Sequence, residues 1–326
     1  MKASPIDSSN NFALTRIEWA RLPGQRPRIA GCNARLGAHG RDAQTAIARI
    51  TTDNGLTGFG WAWLTPEEAQ ELVAPARCSF SKASDPEFYQ VPECFRTLEY
   101  PLLDLMGKRA EKPVYALFDN VSSSSTAPLN GESYRVPCYD TSLYMDDLRG
   151  ETLLEDDAEA AALIAAEALE GLARGHRAFK IKIGRGAMHL PLEQGTRRDI
   201  LVIRAVREAV GPEAQVFVDA NNGYNLNLTK RVLYETADAQ ITWVEEPFHE
   251  DARLYAILKT WLDKEGLDTL VADGEGEASR HLLTWAQQGL IDVVQYDVLH
   301  PGFSHWLKLG PRLDTWGVYS APHHYG

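Results

Sequence analysis

Residues 178–184 read Ala-Phe-Lys-Ile-Lys-Ile-Gly, an apolar run carrying lysine at two alternate positions before a glycine ends it. On a strand, alternate residues share a face, so Lys180 and Lys182 point the same way. The same design recurs downstream as QVFVDAN (215–221), ITWVEEPF (241–248), TLVADGE (269–275), DVVQYDV (292–298) and VYSAPHH (318–324), with RVPCYDTS (135–142) upstream. Between the first two runs, DDAEAAALIAAEALEGLARG (156–175) is rich in Ala, Leu and Glu. RRDILVIRAVREAVG (197–211), after the second, spaces its apolar residues as a helix does. Short apolar strands alternating with such helices predict parallel βα units.

The positions of the polar strand-end residues carry the argument further. Lys182, Asp219, Glu245, Glu275, Asp297 and His323 follow one another at intervals of 37, 26, 30, 22 and 26 residues, close to one βα unit per step. In a β/α barrel the C-terminal ends of all strands face one mouth, so these groups are expected to converge. The chain stops at Gly326, directly after the seventh strand candidate, and the expectation is that the segment closing the barrel is absent from it.

The chain before the barrel has a different rhythm. TAIARITT (45–52), DNGLTG (53–58) and FGWAW (59–63) read as two strands joined at a turn, with Asn54-Gly55 tolerating positive φ. PEFYQVPECFRTLEYPLLDLMGKRAEKPVYALF (86–118) is dense in helix formers, which predicts helices beside that sheet. The Ser-, Pro- and Gly-rich stretch from Val121 to Glu132 marks a boundary or mobile loop. The expected organisation is an α+β domain over residues 1–130 and an α/β barrel over residues 131–326.

Bulk properties agree. A barrel takes ~250 residues, so 326 residues accommodate a barrel and a second domain. A net charge of -12 argues against a nucleic-acid or anionic-membrane partner, which calls for a basic patch. Cys32, Cys78, Cys94 and Cys138 lack CxxC spacing, so neither a thiolate zinc site nor a disulfide scaffold is indicated. The N-terminus lacks a signal-peptide apolar core and no stretch approaches the ~20 apolar residues of a membrane span, so a cytoplasmic protein is expected.

Asp219, Glu245 and Glu275 offer only oxygen, a set suited to a hard divalent cation and to magnesium in particular. Beside such a dication a lysine should lose its proton more readily and could serve as a general base. Asp297 can orient and raise the basicity of a neighbouring imidazole, either His323 or the adjacent His324.

FKIKIG, FVDANNGY, WVEEPF, ADGEGE, VVQYDV and SAPHHYG together resemble the barrel strand ends of the mandelate racemase branch of the enolase superfamily, among mandelate racemase/muconate lactonizing enzyme-like proteins. TTDNGLTGFG and PLLDLMGKRAEKPVYALF resemble that family's capping domain. The resemblance implies a modified TIM barrel, (β/α)7β, behind an N-terminal α+β cap, and a homo-oligomer. It implies that Asp219, Glu245 and Glu275 bind Mg2+, with Glu277 an alternative third ligand. Lys182 matches a general base assisted by Lys180, and Asp297 with His323 matches a dyad across the substrate. Asn221, Glu246 and His324 are expected close to metal or substrate. The implied chemistry is removal of the proton α to a carboxylate through an enediolate. Dehydration of an acid sugar or related hydroxy acid is the leading expectation, racemisation or epimerisation by Lys182 and His323 the alternative, and a non-catalytic barrel a third reading. In each enzymatic case the partner is a small carboxylate.

Overall fold

The computed structural model describes residues 11–73, 78–79, 91, 93–118, 136–148, 154–276, 278–300 and 302–324. The stretch from Val121 to Glu132 and Glu277 therefore lie outside the described residues. Two compact units interleave along the chain. The first comprises Met1–Gly24, Ala43–Arg135 and Leu299–Lys308; the second comprises Gln25–Asp42, Val136–Val298 and Leu309–Gly326.

In the first unit, β1 (Asn11–Phe12) and β2 (Leu14–Ala30) precede the expected hairpin of β3 (Gly40–Thr52) and β4 (Thr57–Trp61). These last three form an antiparallel sheet in the order β2-β3-β4, and β1 pairs with β5 (Cys78–Ser79). The hairpin register runs from Ile47 opposite Trp61 to Thr51 opposite Thr57. At its turn only Gly55 of the Asn-Gly pair takes positive φ, at 82°. The Asn54 side chain braces the turn instead, its Oδ1 accepting from Thr52 Oγ1 at 2.5 Å and from the Leu56 N–H at 3.3 Å. Ala48, Ile50 and Thr52 alternate into the interior, where Ala48 and Ile50 pack with Leu98, Leu102 and Leu105. Helix α1 (Pro66–Val73) follows the hairpin, and α2 (Glu99–Ala110) packs on β4. That packing is close enough to require glycine: a Cβ at Gly58 would stand 1.9 Å from the Pro101 carbonyl oxygen. Long β2 has no clear counterpart in the sequence reading, because TRIEWARLPGQRPRIA mixes two prolines and several charges into its run.

The second unit holds a seven-stranded parallel sheet, ordered β12-β11-β10-β9-β8-β7-β6. Its strands are β6 (Asp140–Leu143), β7 (Ala178–Lys182), β8 (Gln215–Asp219), β9 (Ile241–Glu245), β10 (Leu270–Asp273), β11 (Val293–Val294) and β12 (Tyr319–Ser320). Each overlaps one of the seven predicted runs, and spatial order follows chain order, as successive βα units require. Between them come α3 (Asp157–Ala173), α4 (Leu192–Val210), α5 (Leu226–Glu235), α6 (Ala252–Glu265), α7 (Leu282–Gln287) and α8 (Phe303–Trp316). Side-chain oxygens of Asp156, Asn225 and Asp251 cap the N-termini of α3, α5 and α6. The structure is thus α/β, with an antiparallel N-terminal sheet and a seven-stranded parallel sheet. Among the described residues no helix is long and apolar enough to cross a membrane.

Register stacks side chains from neighbouring strands into layers. Ala178, Phe217, Trp243, Ala272 and Val293 form one apolar cluster, with the rings of Phe217 and Trp243 stacked at 3.6 Å. Lys182 pairs with Asp219, and Asp219 with Glu245, at the strand ends.

Candidate active site at the ends of the parallel strands

Every expected site residue lies in the second unit. Lys180 and Lys182 are both buried, and their ammonium groups meet carboxylates from the next two strands. Lys182 Nζ stands 2.5 Å from Asp219 Oδ2, while Lys180 Nζ lies 3.2 Å from that oxygen and 2.5 Å from Glu245 Oε1. Asp219 and Glu245 end β8 and β9, and Glu275 follows β10 after a turn at Gly274, whose φ is +126°. Asp219, Glu245 and Glu275 present oxygens that all lie within 4.8 Å of one another. The donor chemistry fits a hard divalent cation.

Two neighbours sharpen that fit. Glu245 Oε2 accepts from Gln295 Nε2 at 2.8 Å and from Trp243 Nε1 at 3.3 Å, which directs Oε1 toward Lys180 and the other acids. Asn221 donates its N–H to Asp219 Oδ1 at 2.9 Å and its amide to Glu246 Oε2 at 3.1 Å and Glu275 Oε1 at 3.2 Å. Its own Oδ1 is buried with no hydrogen-bond partner among the described residues, an oxygen that can face a cation or a hydroxyl.

At the other end of the sheet, Asp297 and His323 are joined by an isolated parallel bridge. His323 Nδ1 lies 3.1 Å from Asp297 Oδ2, and Nε2 lies 2.9 Å from Glu275 Oε2. Of the two adjacent histidines, His323 is therefore the one placed between Asp297 and Glu275. His324 is its chain neighbour, and burial lowers its pKa.

Burial and charge set the proton affinities. Burial works to lower both lysines, but Glu245 and Asp219 around Lys180, and Asp219 beside Lys182, outweigh it and raise both. Burial opposes ionisation of Asp219 too, yet Lys182 and Lys180 hold it well below the usual range. Glu245 is pushed up to about 7 by burial and by Asp219. Glu246, buried beside Asp219 and Glu275, is pushed up to about 9. His323 reaches about 9: burial opposes the charge, and hydrogen bonds to Asp297 and Glu275 prevail.

Several contributors were outside the sequence reading. Gln295 and Trp243 each stand two residues before a strand-end acid, so alternation placed them on its face; the signal was present and unused. Arg185, just past β7, is fully buried between Asp147 and Asp199. Asp199 Oδ2 also accepts from the Tyr224 hydroxyl at 2.7 Å, tying the loops after β7 and β8 together. Nothing in the local sequence singles out this network, since its members are distant in the chain.

Comparison with known proteins matches residues 163–326 to the family described as enolase C-terminal domain-like. The structure of galacturonate dehydratase from Geobacillus sp., complexed with D-galacturonate and 5-keto-4-deoxy-D-galacturonate, superimposes with a TM-score of 0.84 at 47% identity, covering 98% of this chain and 80% of that one. A mutant of the same enzyme complexed with Mg gives 0.87 at 46% identity, covering 99% and 81%. Arabinonate dehydratase from Saccharolobus solfataricus is 28% identical over 68% of this chain and 52% of its own. A hydrophobic dipeptide epimerase from Enterococcus faecalis is 25% identical over 85% of this chain and 73% of its own. The chain spans 40% and 52% of the first two curated relatives it matches.

Proposed function

The chain belongs to the enolase superfamily, with a mandelate racemase/muconate lactonizing enzyme-like C-terminal domain, and on that premise we propose that it removes the proton α to the carboxylate of an acid sugar and expels the β-hydroxyl as water. One observation carries the reading: the three acids, two ending β8 and β9 and one just past β10, are flanked in sheet order by two proton carriers, Lys182 on β7 and His323 beyond β12. A substrate carboxylate at the acids then lies between a base and an acid.

The acids Asp219, Glu245 and Glu275 would hold magnesium, with Gln295 and Trp243 fixing the orientation of Glu245. When bound, magnesium would supply the positive charge that stabilises negative charge developing on the substrate carboxylate and would compete with the lysine ammonium groups for the acids. Lys182 takes the α-proton on its Nζ. Lys180, one step deeper on the same face, keeps its proton and binds the carboxylate. His323, whose protonated ring is stabilised by the Nδ1 hydrogen bond to Asp297, donates from Nε2 to the departing hydroxyl. Burial of Lys180, Lys182, Asp219 and Glu245 excludes water from the transfer.

Dehydration is preferred because the galacturonate dehydratase structures align over nearly the whole chain at almost half identity. Epimerisation remains the second reading, since carriers on both sides of the acids could exchange a proton across one carbon and an epimerase is among the relatives. The test is a panel of acid sugars incubated with the full-length protein and magnesium, followed for 2-keto acid formation and for optical rotation. Keto acid supports dehydration; rotation change without keto acid replaces it with epimerisation. Neither change with any acid overturns the proposal.

A further inference from the structure

The segment Gln25–Asp42 belongs to the same compact unit as the parallel sheet, and it is held against the loops that follow β7 and β8. Asn33 Oδ1 accepts the N–H groups of Arg35 and Leu36 at 2.9 and 2.8 Å, forming a tight turn. His189, from the loop after β7, places Nε2 2.7 Å from the Asn33 carbonyl oxygen. Ala34 lies so close to these loops that a Cβ at Gly184 or Gly223 would stand 2.7 or 2.5 Å from its own Cβ. The segment closes where the His39 N–H reaches the carbonyl oxygens of Ala30 and Gly31 at 3.1 and 3.3 Å.

This anchoring fixes the His39 ring edge-on to Tyr144, with centroids 5.2 Å apart and planes at 75°. The ring of Tyr144 lies 5.6 Å from Lys182 Nζ. His39 is thus one aromatic ring away from the proposed base. Its Nε2 is buried and has no hydrogen-bond partner among the described residues, whereas the corresponding nitrogen of His189 is satisfied within the chain. A buried nitrogen without a partner is costly unless a ligand supplies one. Burial, Arg26 and Lys182 all lower its pKa, so the imidazole stays neutral. A neutral imidazole carries one donor and one acceptor, which matches a hydroxyl rather than a carboxylate.

We propose that His39 Nε2 hydrogen-bonds a hydroxyl on the substrate's carbon chain beyond the two carbons that react, which assigns the site to polyhydroxy acids and against short hydroxy acids. This rests on the functional reading above, in which the carboxylate end is taken by the acids and Lys180. His39 is a specificity-determining residue in this account, with no part in moving the α-proton.

The test is calorimetric binding of D-galacturonate and of glycerate to the magnesium-loaded full-length protein, in wild type, His39→Phe and His39→Gln. Phenylalanine keeps the ring against Tyr144 and removes the nitrogen; glutamine returns a polar nitrogen near the Nε2 position. The expected result is about a tenfold loss of D-galacturonate affinity in His39→Phe, the size of one buried hydrogen bond. Glycerate affinity and the melting temperature should not change, and His39→Gln should recover most of the loss. Equal loss for both acids, or no loss for either, overturns the assignment of His39; the functional reading survives that result if the wild type still exchanges the α-proton of D-galacturonate. Failure of the wild type to bind either acid overturns the assignment of His39, and the functional reading falls with it only if no other acid sugar of the panel is turned over.

Discussion

Arg185 and Lys182 stand three residues apart and both are buried, but the groups around them are arranged differently. Arg185 gives Nε and Nη2 to Asp147 at 3.0 and 2.6 Å and Nη1 to Asp199 at 2.8 Å. Asp199 Oδ2 is filled by Tyr224 and by the N–H groups of Gly184 and Arg185, while Arg198 completes Asp147. Among the described residues, none of these side chains leaves a buried polar atom without a partner. Around the acids beside Lys182 the opposite holds: the side-chain oxygens of Asn221, Asn222 and Gln295 are buried and have no partner among the described residues. Asn221, Asn222 and Glu246 also hold positive φ angles of 41°, 59° and 40°, conformations that cost of order 1 kcal/mol each for residues with a side chain. A saturated network with relaxed backbone fits a structural role. An unsaturated one with strained strand ends is what a site that takes ligands requires, and the proposed function places it there.

The contrast can be broken in four places. The largest expected effect is on chemistry: Lys182→Ala should reduce α-proton exchange by ~10²–10⁴-fold, the range for losing a general base, as read by NMR in deuterated water. Arg185→Ala should instead lower folding stability by about 3–5 kcal/mol, because Asp147 and Asp199 are left buried without their partner. Urea unfolding with and without magnesium checks this. The metal should return little of that loss, and full recovery would show that the two networks are not distinct.

Gln295→Leu should weaken magnesium binding by ~10–100-fold, since Glu245 Oε2 loses a donor while the acid itself remains. Calorimetry on the metal alone reads that change, and unaltered affinity would remove Gln295 from the site. The smallest effect concerns pH. His323 is raised from 6.5 to about 9 in the folded protein. The stability it contributes is therefore complete below the lower value and lost as pH rises through the upper one. Urea midpoints measured across the neutral to alkaline range should fall along that limb, and His323→Asn should flatten it.

Much of the parallel sheet was legible because its strands are apolar runs with one polar residue at the end, a pattern that burial on both faces imposes. The convergence of Lys180, Lys182, Asp219, Glu245, Glu275, Asp297 and His323 followed from their spacing at one βα unit per step. The choice between His323 and His324 could not be read, because adjacent strand residues point to opposite faces and two-residue β12 carries too little pattern to say which. Strand β2 stayed hidden behind its prolines and charges, since pairing with β3 rather than composition makes it a strand. The members of the Arg185 network were beyond reach for one shared reason. Their partners lie far away in the chain, and local periodicity carries no information about such contacts.

The most direct test of the account uses the full-length protein with magnesium and D-galacturonate in deuterated water. The account predicts deuterium at the carbon beside the carboxylate, or release of water to the keto acid. It predicts that both are lost on chelation and in Lys182→Ala. A wild-type protein that neither exchanges that proton nor releases water, from D-galacturonate or from any other acid sugar in the panel, would contradict it.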